Sequence, residues 1–144
     1  MKIIIGCDHA GLALKQAVID YLKQTGNEVK DVGIFTVESC DYTDVIPPVV
    51  EGVLSGDFER AILVCGSGQG MTIGANRYKG IRATLVFDLF AAEMTRKHND
   101  SNLLVLAGMV TAPPLAKRIV EVWLSTPFEG GRHQRRIDKL DQLG

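Results

Sequence analysis

Apolar and polar positions alternate along the chain in a way that predicts strands and helices in turn. Ile3-Ile4-Ile5 is a β-branched run closed by Gly6, the mark of a short buried strand. Leu12, Leu14, Ala17, Val18, Tyr21 and Leu22 recur at helical spacing across residues 11–24, and Gly26 supplies a stop. Glu28 to Val32 reads as a second strand. A polar loop through Ser39-Cys40-Asp41-Tyr42 then leads to a helix after Pro47-Pro48, proline being tolerated in a first turn. Ala61-Ile62-Leu63-Val64-Cys65 is the clearest buried strand; it runs through Gly66-Ser67-Gly68-Gln69-Gly70 into a helix around 70–76. Arg82 to Phe87 predicts a fourth strand, 88–98 a helix, and Leu103 to Leu106 a fifth strand. Beyond Thr111-Ala112-Pro113-Pro114 an amphipathic helix runs to about Leu124, and a polar helix covers 131–142. This alternation predicts βαβ units. With right-handed crossovers they give a three-layer α/β/α sandwich around a five-stranded parallel, Rossmann-like sheet, with an extra C-terminal helix. No linker, repeat or low-complexity segment interrupts it, so residues 1–144 read as one domain.

Composition narrows the function classes. Apolar residues are 46% and charged residues 23% of the chain, and the formal charge is −1. A nucleic-acid domain shows a basic surplus that is missing here. No stretch reaches the ~18 apolar residues of a membrane helix, and the apolar run at the N-terminus meets Asp8 too soon for a signal peptide. Three widely spaced cysteines, Cys7, Cys40 and Cys65, form neither a zinc pattern nor a disulfide framework. A cytoplasmic protein with reduced thiols is expected.

Two segments at the carboxyl ends of predicted strands carry chemistry: Gly6-Cys7-Asp8-His9-Ala10-Gly11 and Cys65-Gly66-Ser67-Gly68-Gln69-Gly70. Ligands of open parallel sheets lie beyond those ends. Glycines let backbone N–H groups approach a ligand, and a following helix N-terminus favours an oxyanion or phosphate. The run is neither GxGxxG nor GxxxxGK[ST]. Cys65 fits either a buried filler of a tight turn or a thiolate base whose pKa the helix terminus lowers. Cys7 reads as packing, and Cys40 has no partner in the sequence. Asp8 and His9 together suit a hydroxylated ligand. His98, in Lys97-His98-Asn99-Asp100, follows a helix and precedes a strand, so it belongs near the amino ends of the strands, remote from Cys65 of its own chain. It is either a helix C-cap residue or part of a site in a second subunit, and the sequence alone favours the first. Arg132 and Arg136 stand i,i+4 and could clamp one phosphate, unless they are a solvated basic face.

Taken together, Gly6-Cys7-Asp8-His9-Ala10-Gly11, Asp41-Tyr42, Cys65-Gly66-Ser67-Gly68-Gln69-Gly70, Ala75-Asn76, His98-Asn99-Asp100 and Glu129-Gly130-Gly131-Arg132-His133-Gln134-x-Arg136 resemble the ribose-5-phosphate isomerase type B family, which includes the galactose-6-phosphate isomerase subunits. The resemblance spans nearly the whole chain in order. It implies an aldose–ketose isomerase of phosphorylated sugars, without metal or other cofactor, acting through a cis-enediolate. It implies a homodimer or a dimer of dimers with each site between two subunits. Carried over, Cys65 is the base between C1 and C2, and His98 the acid–base of ring opening. Asp8 binds hydroxyls, and Ser67 with the amides of Gly66, Gly68, Gln69 and Gly70 holds the oxyanion. Tyr42 and Asn99 line the sugar site, and His9, Arg132 and Arg136 address the phosphate. Relatives with a glutamate base place it a few residues past the serine; Met71 and Thr72 stand here, so the chain resembles the cysteine type. Met109 stands where ribose-5-phosphate isomerases of this type carry a phosphate-binding arginine, which leaves the sugar open among a tetrose, pentose or hexose phosphate. Two other readings compete. A non-catalytic phosphosugar-binding module predicts stabilisation by ligand without turnover, since fold does not fix function. A nucleotide-binding protein predicts affinity for NAD or ATP, against the missing motifs.

Overall fold

The computed structural model describes residues 1–144. Five strands, β1 (Lys2–Cys7), β2 (Glu28–Asp31), β3 (Arg60–Cys65), β4 (Ala83–Leu85) and β5 (Leu103–Ala107), alternate with helices. These are α1 (Leu12–Gln24), α2 (Tyr42–Leu54), α3 (Gln69–Ala75), α4 (Leu89–Asn99), α5 (Pro113–Ser125) and α6 (Arg132–Leu140). The strands form one sheet in the order β2-β1-β3-β5-β4, every pairing parallel. β2 lies on one side of β1 and all later strands on the other, so the order reverses between β1 and β3. A ligand crevice belongs beyond the carboxyl ends at such a reversal.

The period of two along each strand divides the core into two layers. Ile3, Ile5 and Cys7 of β1, Ile62 and Val64 of β3, and Leu104 and Leu106 of β5 pack with α1 and α5, through Val18, Leu22, Ile119 and Trp123. Ile4, Ala61, Leu63, Cys65, Leu103 and Val105 pack instead with α2 and α3, through Val45, Val49, Met71 and Ala75. Cys7 and Cys65 therefore face opposite sides of the sheet. α6 lies against α4 at the periphery. No helix is long and apolar enough to cross a membrane.

The layers match the expectation from sequence; α2 departs from it. The helix begins at Tyr42, and Pro47 and Pro48 sit inside it rather than in its first turn. Each proline lacks the N–H that would bond the carbonyl four residues back. The helix survives because Val45, Ile46, Val49 and Val50 are buried on one face, and burying such a side chain stabilises by about 1.5–3 kcal/mol. Packing outweighs two missing hydrogen bonds, and the extra turns place Tyr42 against Gly70, beyond the carboxyl end of β3. β4 is also shorter than the predicted 82–87, ending at Leu85 on the outer edge of the sheet.

Candidate active site

The carboxyl ends of β1, β3 and β5 converge through backbone contacts. The Asp8 N–H donates to Val64 O at 3.1 Å, the Gly108 N–H to Cys65 O at 2.8 Å, and the Met109 N–H to Gly66 O at 3.1 Å. Asp8 is buried, and its Oδ1 accepts from the N–H groups of Ala10 and Gly11 at 3.0 and 3.1 Å. That capping turns the chain through a short 3₁₀ segment, His9–Gly11, into α1. His9 accepts the Cys40 N–H on Nδ1 at 3.3 Å, which leaves Nε2 as the ring's donor. Cys40, which looked partnerless in sequence, thus ties the 33–41 loop to His9, its Sγ 3.9 Å from the same nitrogen.

Gly68 caps α3 with φ of +79°, in the left-handed region where a side chain is strained, and a Cβ there would collide with Leu85. This turn brings the backbone round Cys65. The N–H groups of Met71, Gly68 and Ser67 act on its sulfur and favour the thiolate, yet burial is the larger effect and raises the thiol pKa above its ordinary value; Asp8 pushes the same way. The expectation of a helix terminus lowering this pKa is therefore outweighed: Cys65 is 5% exposed, and desolvation wins over the amides. Ser67 Oγ accepts the Gln69 N–H at 3.4 Å. Tyr42 lies on Gly70, where a Cβ would stand 2.5 Å from Tyr42 Cζ. Met109 overhangs Gly66, its Sδ 3.2 Å from where a Cβ would be, and is 79% exposed. Asp8, His9, Tyr42, Cys65 and the 66–70 turn thus form one cluster.

His98 and Asn99 do not join it. They end α4, ahead of Leu103, which pairs with Ala61 at the amino end of β3; Cys65 pairs with Ala107 at the far end. The expected separation of His98 from Cys65 is what the fold gives. His98, Asn99, His133, Arg136, Ile137 and Leu140 line a cleft of about 380 Å³. Arg132, expected to work with Arg136, is exposed at the first position of α6 and outside that lining. A larger cleft of about 630 Å³ adjoins through Asn99 and Leu140 and holds no residue of the Cys65 cluster.

A knot of charges fixes the end of α4. Asp100 adopts φ of +45°, and its carboxylate takes Arg96 Nη1 at 2.8 Å and Arg82 Nη2 at 3.2 Å. Arg96 also donates to Ser101 O, and the Trp123 indole donates to Ser101 Oγ at 2.8 Å.

Sequence reasoning left His133 and Glu129 without roles. The His133 ring stacks on His98, centroids 4.2 Å apart and planes 11° apart, and its Nε2 lies 3.4 Å from Glu129 Oε2. The available signal was the i,i+4 spacing of His133 with Ile137, both buried on the inner face of α6. His98, Glu129 and His133 bring three potential ligand atoms within 4.8 Å of one another. They do not fit a metal. Imidazole lone pairs lie in the ring plane, and two near-parallel stacked rings cannot both aim at one ion at ~2.0–2.1 Å. The neighbouring charges of Arg132 and Arg136 also oppose a cation.

Comparison with known proteins gives this geometry its context. Residues 3–140 match the family model described as ribose/galactose isomerase. The chain is 40% identical to the ribose-5-phosphate isomerase B of Escherichia coli, over 99% of this chain and 95% of that one. It is 38% identical to the D-erythrulose-4-phosphate isomerase of Pectobacterium atrosepticum, over 97% and 93% of the two chains. The crystal structure of a ribose 5-phosphate isomerase from Thermotoga maritima superposes with a TM-score of 0.97 at 48% identity, covering 99% of this chain and 98% of that one. A parallel sheet that turns a thiol into a glycine cradle at its order reversal, matched over its whole length, places the chain in the ribose/galactose isomerase family of sugar-phosphate isomerases.

Proposed function

We propose that the chain interconverts a phosphorylated aldose and its ketose, with Cys65 as the base that carries the proton between C1 and C2. The observation that carries this reading is Cys65 itself, set in a water-poor turn with the N–H groups of Met71, Gly68 and Ser67 around its sulfur. Proton abstraction beside a carbonyl needs a base and fixed donors where the oxyanion develops, each donor worth about 2.7–4 kcal/mol. Burial raises the free thiol pKa, so the reading requires the three N–H groups and the bound sugar to favour the thiolate when the proton is taken. Asp8 Oδ2 is free to accept sugar hydroxyls, since the capping bonds occupy Oδ1. Tyr42 walls the site, and His9 Nε2–H reaches toward the phosphate end.

His98 opens the ring, Asn99 lines the sugar, and Arg132 and Arg136 bind phosphate. Because these residues lie at the opposite edge of the sheet from Cys65, the reading requires a homodimer in which a second copy completes each site. The exposure of Phe35, Val37, Met109 and Val110 at the carboxyl edge supports a surface that another copy covers. Three free thiols fit a reducing cytoplasm. The substrate is a pentose or tetrose phosphate: the E. coli relative is named for ribose 5-phosphate and the Pectobacterium relative for D-erythrulose 4-phosphate.

The test is isomerisation of ribose 5-phosphate beside erythrulose 4-phosphate and a hexose phosphate. Turnover of any one, abolished in Cys65→Ala, supports the reading. Full activity in that variant removes Cys65 as base, and ligand-induced stabilisation without turnover of any sugar favours a binding module.

A further inference from the structure

We propose that His133 is the positioning residue for His98: its imidazole face holds the His98 ring in place, and Glu129 in turn holds His133. The proposal rests on the reading of His98 as the acid–base of ring opening. His133 offers the cleft little surface, being 4% exposed, whereas His98 is half-buried at its wall. The two rings lie face to face at 4.2 Å, so His133 limits rotation of His98 without using either of its nitrogens. Both His98 nitrogens stay free to exchange protons with a sugar oxygen.

The support beneath His133 is built from both sides. Its N–H donates to Gly130 O at 3.0 Å, and its Nε2 stands 3.4 Å from the Glu129 carboxylate without completing a hydrogen bond. The Glu129 N–H donates to Lys97 O at 3.1 Å, one residue before His98. The 129–133 segment is therefore fastened to the same turn of α4 that carries His98. Stacking two imidazoles works only if they are not both cationic. Burial depresses the pKa of His133 first, and the charges of His98, Arg132 and Arg136 add to it against Glu129. The lowered pKa favours an uncharged His133 face against His98.

A general acid misplaced by about an ångström loses on the order of 10²-fold in rate. The experiment compares wild-type protein with His133→Ala, His133→Phe and His98→Ala. One assay follows conversion of ribose 5-phosphate, which is mostly ring-closed. The other follows exchange of the ketose C1 hydrogen of ribulose 5-phosphate with deuterated water, which needs Cys65 but no ring opening. His133→Ala is expected to slow aldose turnover about 10–100-fold while C1 exchange stays within about twofold. His133→Phe, which restores a flat face, recovers most of the loss. An equal loss in both assays, unchanged aldose turnover in His133→Ala, or failure of His133→Phe to recover overturns the proposal. If His98→Ala slows both assays equally, the reading of His98 fails instead. A substrate-free measurement separates the two. The Cε1 proton of His98 should carry an upfield ring-current shift in wild-type protein and His133→Phe, lost in His133→Ala; its presence in all three, or absence from wild-type protein, overturns the stack.

Discussion

The two edges of the sheet are built in opposite ways. At the carboxyl edge the backbone shapes the candidate site: amides surround Cys65, amides hold Asp8, and glycines let the turns close. At the amino edge side chains line a cleft: two stacked imidazoles and an arginine, with a carboxylate behind them, braced by the Arg96–Asp100–Arg82 knot. A backbone site is rigid and poorly tolerant of bulk. A side-chain site is adjustable, and it depends on what stands behind each group. On the proposed reading, the first would meet an oxyanion with fixed donors, and the second a phosphate and a ring oxygen.

The largest expected break in this comparison comes from emptying each edge separately. Cys65→Ala should lower kcat about 10³-fold and His98→Ala about 10²-fold, each with the fold intact by circular dichroism. Mixed and re-equilibrated, the two inactive proteins should regain about a quarter of wild-type activity, because half of the dimers carry one intact site made from both edges. No recovery would mean that the edges do not meet across a two-fold axis.

Bracing at the amino edge comes next. Asp100→Ala leaves the buried Arg96 and the neighbouring Arg82 without their carboxylate. Loss of about 3 kcal/mol is expected, the lower end for a broken buried pair because Asp100 retains contact with water. Urea unfolding measures it; Thr84→Ser, on the edge strand, should change little.

The edges should also respond to opposite extremes of pH. Burial pushes the Cys7 thiol up to about 11, with Lys15 opposing and Asp31 adding. The folded state thus binds this proton more tightly than the unfolded chain. Its contribution is complete below the ordinary thiol value of about 9, and about 2 kcal/mol is lost as pH rises toward 11. His133 has the opposite sign: its depressed pKa means that stability is lost as pH falls below the ordinary histidine range. Thermal melts of Cys7→Ala and His133→Phe should flatten the alkaline and acidic limbs respectively.

The smallest expected effect is Met109→Arg, which would place a side-chain donor at the edge that otherwise uses amides. KM for ribose 5-phosphate should fall about tenfold; an unchanged KM would mean that position 109 does not reach the phosphate.

How much of this the sequence carried follows from the same division. Glycine spacing around Cys65 is local, so Gly66 to Gly70 and Asp8 are legible as a cradle without a structure. Short continuous apolar runs, Ile3-Ile4-Ile5 and Ala61 to Cys65, identified the buried strands. α2 was misplaced because proline speaks only for local backbone, whereas Val45, Ile46, Val49 and Val50 answer to a sheet that is distant in sequence. The raised pKa of Cys65 was hidden for the same reason: a helix terminus is visible in sequence, and the depth of burial above it is not. His133 went unread because its significance lies in a ring brought from α4, 35 positions earlier.

One consequence of the strand alternation concerns errors in making the protein. In β3, Ala61, Leu63 and Cys65 share a face, while Ile62 and Val64 share the other. Sliding this strand by one position would turn the thiol away from its cradle, and would at the same time drive every apolar neighbour into the wrong layer. Misplacement of the thiol cannot occur alone: it arrives together with two mispacked layers, since residues of different size would exchange sides of the sheet. Register errors in β3 are therefore expected to show as less stable chains, not as well-packed copies with the thiol turned away.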